Sequence, residues 1–226
     1  MSLVDTLREH PAEIASIIEH TNVDPDPTET AVRDLCETVV EYEFCSAVVV
    51  PYYAELAHDI VGDSANVVAV VGFPYGIQNT AAKQTEARAL LEYVDEVDMV
   101  MNRTAFASGD EEFVVEDIAA VRETVGDTTL KVIIESPALS AAEIERAAGL
   151  VEAGGADFVK TAVGYDGPTD PAEVEAIRRG VGPEMGVKAS GGIGSFEEAL
   201  AMVRAGATRI GASSGVDIYE SATASG

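Results

Sequence analysis

The residues with the clearest chemical potential in this chain are its lysines. The 14 basic residues divide into ten Arg and four Lys: Lys83, Lys131, Lys160 and Lys188. A chain this short of lysine is expected to place the few it has at the surface. Three instead interrupt apolar, strand-like runs: TLKVIIE, DFVKTAVG and MGVKASGG. An ammonium in a buried strand costs desolvation energy, so it is paired, neutral or used chemically. One such lysine is explained as well by a structural ion pair as by catalysis. Three on consecutive strand candidates favour chemistry. Lys160 ends the sixth strand candidate and Lys188 the seventh, and neighbouring parallel strands lie about 4.8 Å apart. Both amines therefore reach one pocket. Two like charges in a partly dry site depress at least one pKa and leave an amine neutral near neutrality. A neutral amine attacks a carbonyl to form an imine, which then acts as an electron sink for C–C cleavage. The competing reading is that each lysine snorkels to solvent from a strand end.

Other candidates cluster around this pair. Asp98 interrupts EVDMVMN, the fourth strand candidate. A lone strand aspartate commonly caps a loop; opposite two lysines it would hold one ammonium and position a water for proton transfer. Lys131 and Glu135 share a parity in TLKVIIE and are expected to face the same side. Lys131 comes earlier, hence deeper, and is expected in a structural ion pair behind the site. The turn sequences GFPYGIQNT, KASGGIGS and IGASSG follow strand candidates three, seven and eight. Gly191, Gly192, Gly211, Ser213 and Ser214 would let backbone approach an anion, with the N–H groups of the following helices turned towards it.

Such a site needs parallel strands that end at one face. Val- and Ile-rich runs supply them at Ile17–His20, Phe44–Val50, Val67–Gly72, Val97–Met101, Leu130–Glu135, Phe158–Thr161, Gly186–Ala189 and Thr208–Gly211. Most are continuous rather than alternating, as expected for parallel strands covered on both faces. Helical patterns fall between them near Thr28–Tyr42, Pro51–Ile60, Asn79–Tyr93, Asp110–Val125, Ala141–Glu152, Asp170–Arg179 and Ser195–Ala205. Asn79, Asp110, Ser140, Asp170 and Ser195 suit N-caps, and Gly126, Gly154 and Gly206 suit C-terminal caps. This alternation predicts an α/β fold, a (β/α)8 TIM barrel forming a single domain over residues 1–226. A short helix precedes the first strand and a short acidic, small-residue tail closes the chain. An open doubly wound sheet would need its glycine-rich turn after the first strand, where HTNVDPDPT has none.

Composition narrows the setting. At 226 residues the chain can bury a sizeable core, and its hydrophobic content of 47% sets it apart from disordered acidic chains despite a net charge of -26. The acidic surface disfavours nucleic acid and anionic membranes as partners. Scarce lysine, abundant Asp and Glu and no Trp suggest a halophilic cytoplasm, where salt screens self-repulsion. Cys36 and Cys45 have no metal-ligand spacing. The opening MSLVDTLREHPAEIASIIEH is amphipathic and acidic, unlike a signal peptide, so a cytoplasmic location is expected.

Taken together, DFVKT-x-x-G, GVKASGGI, VDMV, LKVIIE, VVGFP and IGASSG resemble deoxyribose-phosphate aldolase, a class I aldolase family, in order from about Ile18 to Val216. The resemblance implies a lyase that cleaves 2-deoxy-D-ribose 5-phosphate reversibly to D-glyceraldehyde 3-phosphate and acetaldehyde in deoxyribonucleotide catabolism. It implies Lys160 as the Schiff-base residue and Asp98 with Lys188 as the proton donor and acceptor. Gly164 joins the glycines and serines above as substrate and phosphate ligands, and Lys131, Glu19 and Thr21 support the site. No metal or cofactor is implied, and a homo-oligomer, dimer or tetramer, is. The chain departs from the family pattern in several places. IEHT puts Glu19 where a shorter acid is usual. Val48 stands where a cysteine is often found, and Ala162 and Val163 replace hydroxyl side chains. Gly194 follows GGI where Arg is common. These departures motivate a second reading, a related aldolase acting on another or an unphosphorylated aldehyde or sugar. A third is a non-catalytic phosphosugar-binding barrel.

Overall fold

Eight parallel strands close on themselves in chain order, β1 pairing with both β2 and β8. The computed structural model describes residues 2–224. The strands are β1 (Ile18–Asn22), β2 (Ser46–Val49), β3 (Asn66–Val71), β4 (Glu96–Val100), β5 (Thr129–Ile133), β6 (Phe158–Lys160), β7 (Gly186–Ser190) and β8 (Arg209–Ala212). The α-helices are α1 (Leu3–Glu9), α2 (Glu29–Glu41), α3 (Ala54–Val61), α4 (Thr80–Leu90), α5 (Arg103–Ala107), α6 (Glu111–Val125), α7 (Ala141–Ala153), α8 (Pro171–Gly180), α9 (Phe196–Ala205) and α10 (Gly215–Thr223). The TIM barrel expected from the alternating pattern is present. Among the described residues no helix is long and apolar enough to cross a membrane.

The helices begin where their capping residues dictate. Asn79, Asp110, Ser140, Asp170 and Ser195 each accept a backbone N–H of the first turn through the side chain, which satisfies a donor that the helix cannot pair internally. Several boundaries differ from expectation. Ile17 ends a 3-10 turn over Pro11–Ile17, so β1 starts one residue later and runs on to Asn22. Pro51 opens a 3-10 turn that delays α3 to Ala54. Gly154 keeps a right-handed φ of -75°, and Gly155 (φ 80°) takes the left-handed position after α7. The short α5 carries no strong periodic signal and was not expected from the sequence.

Strand parity sorts the barrel into two compartments. Val97, Met99, Leu130, Val132, Val159, Val187 and Ala189 face the helices and join the main core. The opposite parity faces inward, where Val48, Val68 and Val70 form a small apolar cluster of their own. Val100 and Ile133 form a second inward cluster with Val163, and the charged positions Glu19, Glu96, Asp98, Lys131, Lys160 and Lys188 lie among them.

Candidate active site

Asp98 organises the interior of the barrel. It is fully buried on β4 and contacts three lysines from three later strands. Its Oδ1 accepts from Lys131 Nζ at 2.9 Å, and its Oδ2 accepts from Lys160 Nζ at 2.8 Å and Lys188 Nζ at 2.7 Å. The register explains the convergence: Asp98 lies opposite Lys131 across β4–β5, and Lys160 lies opposite Lys188 across β6–β7. Glu19 on β1 pairs with Lys188 and lies 3.4 Å from Lys131, which also pairs with Glu96. Arg209 flanks the cluster 3.8 Å from Glu19 and 4.0 Å from Glu96. Three buried lysines, with Arg209 at their flank, thus meet three buried carboxylates, so each buried carboxylate has a cationic partner.

Burial and pairing set different protonation states in this cluster. Burial would push the Asp98 carboxyl up, but Lys131, Lys160 and Lys188 together hold it well below the usual carboxylate range. Glu19 behaves alike: burial raises it, and Lys131 and Lys188 outweigh that. For Lys131, burial favours the neutral form, yet Asp98, Glu19 and Glu96 drive its pKa above the ordinary lysine value. Lys160 goes the other way, down to about 8. Burial is the leading cause; Asp98 opposes it and Lys188 adds to it. The like charge of Lys188 is therefore a contributor, where the sequence argument made it the cause. Roughly a tenth of Lys160 is neutral at pH 7 with such a pKa.

Lys160 also has the access that an attacking amine needs. It lines a cavity of about 690 Å³ at the carboxyl ends of the strands, together with Thr21, Gly164, Gly191, Gly192, Gly211, Ser213 and Ser214. Asp98 and Lys188 are wholly buried and lie behind it. A substrate carbonyl entering this cavity meets one amine at its surface, with a carboxylate and a second ammonium in hydrogen-bonding contact behind. That arrangement suits imine formation followed by proton transfer. Thr21 donates to the Glu19 carbonyl at 2.9 Å and so steadies the end of β1.

Several residues have partners that sequence reasoning did not identify. Lys131 forms the expected buried ion pairs, but Glu135 is not among them; Glu135 Oε2 accepts the Val163 N–H at 2.8 Å. Gly211 lines the cavity as expected of an anion ligand, yet it is also what makes room for Lys188. A Cβ there would meet Lys188 Cε at 2.8 Å and Ser190 Cβ at 3.0 Å. Glu96 was missed, although it shares the parity of Asp98 two residues later. Lys83 is not on the surface: it is fully buried and donates to Asp117 Oδ2 at 2.6 Å and to the Val100 carbonyl at 3.0 Å. The cavity wall includes Asp24 and Asp34, and Lys160 is the only basic Lys or Arg side chain lining it; Gly194 stands at its edge. Among the described residues no group of His, Cys, Asp and Glu is arranged to hold a metal ion.

Comparison with known proteins places this geometry in context. A family model described as DeoC/LacD family aldolase matches residues 17–221. A protein from Macrococcus caseolyticus named deoxyribose-phosphate aldolase is 42% identical over 216 residues, covering 94% of this chain and 98% of its own. One of the same name from Methanothermobacter thermautotrophicus is 45% identical over 212 residues, covering 92% and 94%. Among solved structures, a tetrameric deoxyribose phosphate aldolase from Aeropyrum pernix superposes with a TM-score of 0.87 at 31% identity, covering all of both chains. An aldolase described as QR15 gives 0.88 at 34% identity over 92% of this chain and 95% of its own.

Proposed function

The chain belongs to the DeoC/LacD family of aldolases, and from that premise we propose that it cleaves 2-deoxy-D-ribose 5-phosphate reversibly to D-glyceraldehyde 3-phosphate and acetaldehyde. The observation that carries this reading is Lys160, a cavity-lining amine with a pKa near 8, held by Asp98 at 2.8 Å. Its substrate is taken from the names of its relatives. Neutral Lys160 adds to the aldehyde carbon of the open-chain sugar, and loss of water gives the iminium ion. A base removes the proton of the 3-hydroxyl, the C2–C3 bond breaks, and the released electron pair moves into an enamine on Lys160. Glyceraldehyde 3-phosphate leaves. The enamine carbon is then protonated through Lys188, Asp98 and a water, and hydrolysis of the resulting imine frees acetaldehyde and Lys160.

Within this reading, Gly164, Gly191, Gly192, Gly211, Ser213 and Ser214 bind the phosphate end and Glu19, Thr21 and Lys131 support the catalytic groups. Residues 1–226 act as one domain in deoxyribonucleotide breakdown, in a cytoplasm rich in salt. A homo-oligomer is part of the proposal, supported by the tetramer described for the Aeropyrum relative. The test is peptide mass spectrometry after incubation with deoxyribose 5-phosphate and borohydride in high-salt buffer. A reduced adduct on Lys160 is expected. Folded protein with no adduct, tried also with acetaldehyde, overturns the aldolase reading in favour of a phosphosugar-binding barrel. The acidic wall at Asp24 and Asp34 favours one alternative, a related aldolase for unphosphorylated donors. Turnover compared with and without the 5-phosphate separates the two.

A further inference from the structure

Glu135 sits in an unfavourable backbone conformation immediately beside the segment that carries Lys160. Its φ of 56° and ψ of 59° are left-handed. Among the described residues only Glu43, exposed on the surface, shares a positive φ without being glycine. An L-residue in this region costs about 1 kcal/mol or more, and such strain persists where surrounding structure imposes it. Glycine would relieve the cost, so the side chain must supply something in return.

What it supplies is a buried clamp. Ile134 N–H donates to the Lys160 carbonyl at 3.0 Å and Ser136 N–H to the Thr161 carbonyl at 2.8 Å, so Glu135 stands between two ladder bonds to this one segment. The left-handed turn places its carboxylate alongside the backbone just past β6, where Oε2 takes the Val163 N–H at 2.8 Å. The residue is fully buried, and its other oxygen, Oε1, has no hydrogen-bond partner. The Oε2 acceptor adds to the Ser190 hydroxyl's bond to the Ala162 carbonyl at 2.7 Å in holding the chain just past Lys160, where Val163 and Gly164 become cavity wall. Further along, this loop is tied by Arg103 to Asp166 at 3.1 Å and by the Tyr165 hydroxyl to the Val23 carbonyl at 2.7 Å. Those ties are partly exposed; the Glu135 clamp is buried.

We infer that Glu135 is a positioning residue for the aldol reaction: by holding the Val163 N–H it fixes the Lys160 amine and the adjoining cavity wall in the geometry needed for imine formation. This rests on the aldolase reading. Three variants separate positioning from a purely structural turn. Glu135→Gly and Glu135→Asp both tolerate the left-handed backbone, but neither reaches Val163 as glutamate does. Glu135→Gln keeps a carbonyl acceptor at full length. The readouts are melting temperature, kcat and KM, and the rate of borohydride trapping on Lys160. Glu135→Gly and Glu135→Asp are expected to melt near the wild-type temperature while trapping and kcat fall on the order of tenfold to a hundredfold, as for small misplacements of reacting groups. Glu135→Gln is expected to stay within about threefold of wild type, since its carbonyl preserves the hydrogen bond. Wild-type trapping and KM in both Glu135→Gly and Glu135→Asp would overturn the inference. Wild-type protein that traps neither substrate nor acetaldehyde sinks the aldolase reading instead, so the two failures are distinguishable.

Discussion

Lys160 and Lys188 face each other across the β6–β7 register and share one oxygen of Asp98, at 2.8 Å and 2.7 Å. A carboxylate oxygen bridging two ammonium groups can exchange protons with either without moving. The difference between the lysines is access: Lys160 is 3% exposed at the cavity and Lys188 is sealed. In the proposed mechanism, nucleophile and proton store are thereby separated by position more than by residue type.

The depressed pKa of Lys160 makes both rate and stability depend on pH. Attack requires the neutral amine, so borohydride trapping should rise with pH and level off above about 8. For stability the folded pKa, about 8, lies below the ordinary 10.5. Between those values the unfolded chain binds more protons, so this lysine's destabilisation is full below 8 and withdrawn as pH approaches 10.5. Lys160→Met should therefore be inactive yet more resistant to urea than wild type at neutral pH, with the gain shrinking in alkali. Urea midpoints measured across that range check the sign; a gain that grew with pH would contradict the assignment.

Gly211→Ala tests whether the eighth strand serves Lys188 or only the phosphate. The added methyl would sit 2.8 Å from Lys188 Cε, and the lysine must shift to accommodate it. A fall in kcat on the order of tenfold to a hundredfold is expected from such a displacement. Steady-state kinetics decide: a rise in KM with kcat unchanged would assign Gly211 to phosphate alone.

Gly194→Arg should strengthen the grip on phosphate. Gly194 lines the cavity, and a Cβ there meets nothing nearer than Glu198 Oε2 at 3.9 Å. A hydrogen bond to a charged group is worth about 1.5–3 kcal/mol, so KM for the phosphorylated donor should fall roughly tenfold or more. Unphosphorylated deoxyribose should show no gain. Equal effects on both donors would place the phosphate elsewhere.

The Lys83–Asp117 pair links α4 to α6, away from the cavity. Both side chains are fully buried, and Thr80 Oγ1 also donates to Asp117 at 2.7 Å. Burial lowers the Lys83 pKa against the pull of Asp117. Removing either partner leaves a buried charge and should cost about 3–5 kcal/mol. Lys83→Met with Asp117→Leu should cost less than either single change. Urea denaturation of the three variants measures the coupling; additive losses would show that the pair does not act as a unit.

The fold was readable because buried parallel strands are continuous apolar runs, and a charge in such a run stands out. Lys131, Lys160, Lys188 and Asp98 were found on that signal alone. Glu96 carries the same signal by parity with Asp98 but sits at a strand start, where acids also cap turns. Lys83 lies on an amphipathic-looking helix, TAAKQTEARAL, and its partner is 34 residues away. Local pattern cannot distinguish such a lysine from a solvated one. VIIE continues the apolar run, so Glu135 reads as a strand residue; its left-handed turn and its bond to Val163, 28 residues on, leave no local mark. Gly211 shows the same limit, since its space is claimed by a side chain on another strand.

That all four lysines are buried leaves the outer shell without any lysine ammonium. Acylating esters, reducing sugars and dialdehyde cross-linkers, which normally scatter over a protein's exterior, therefore find a single lysine side chain within reach, the one lining the cavity. A reagent that is indiscriminate elsewhere becomes, for the lysines of this protein, a titrant of the proposed catalytic amine.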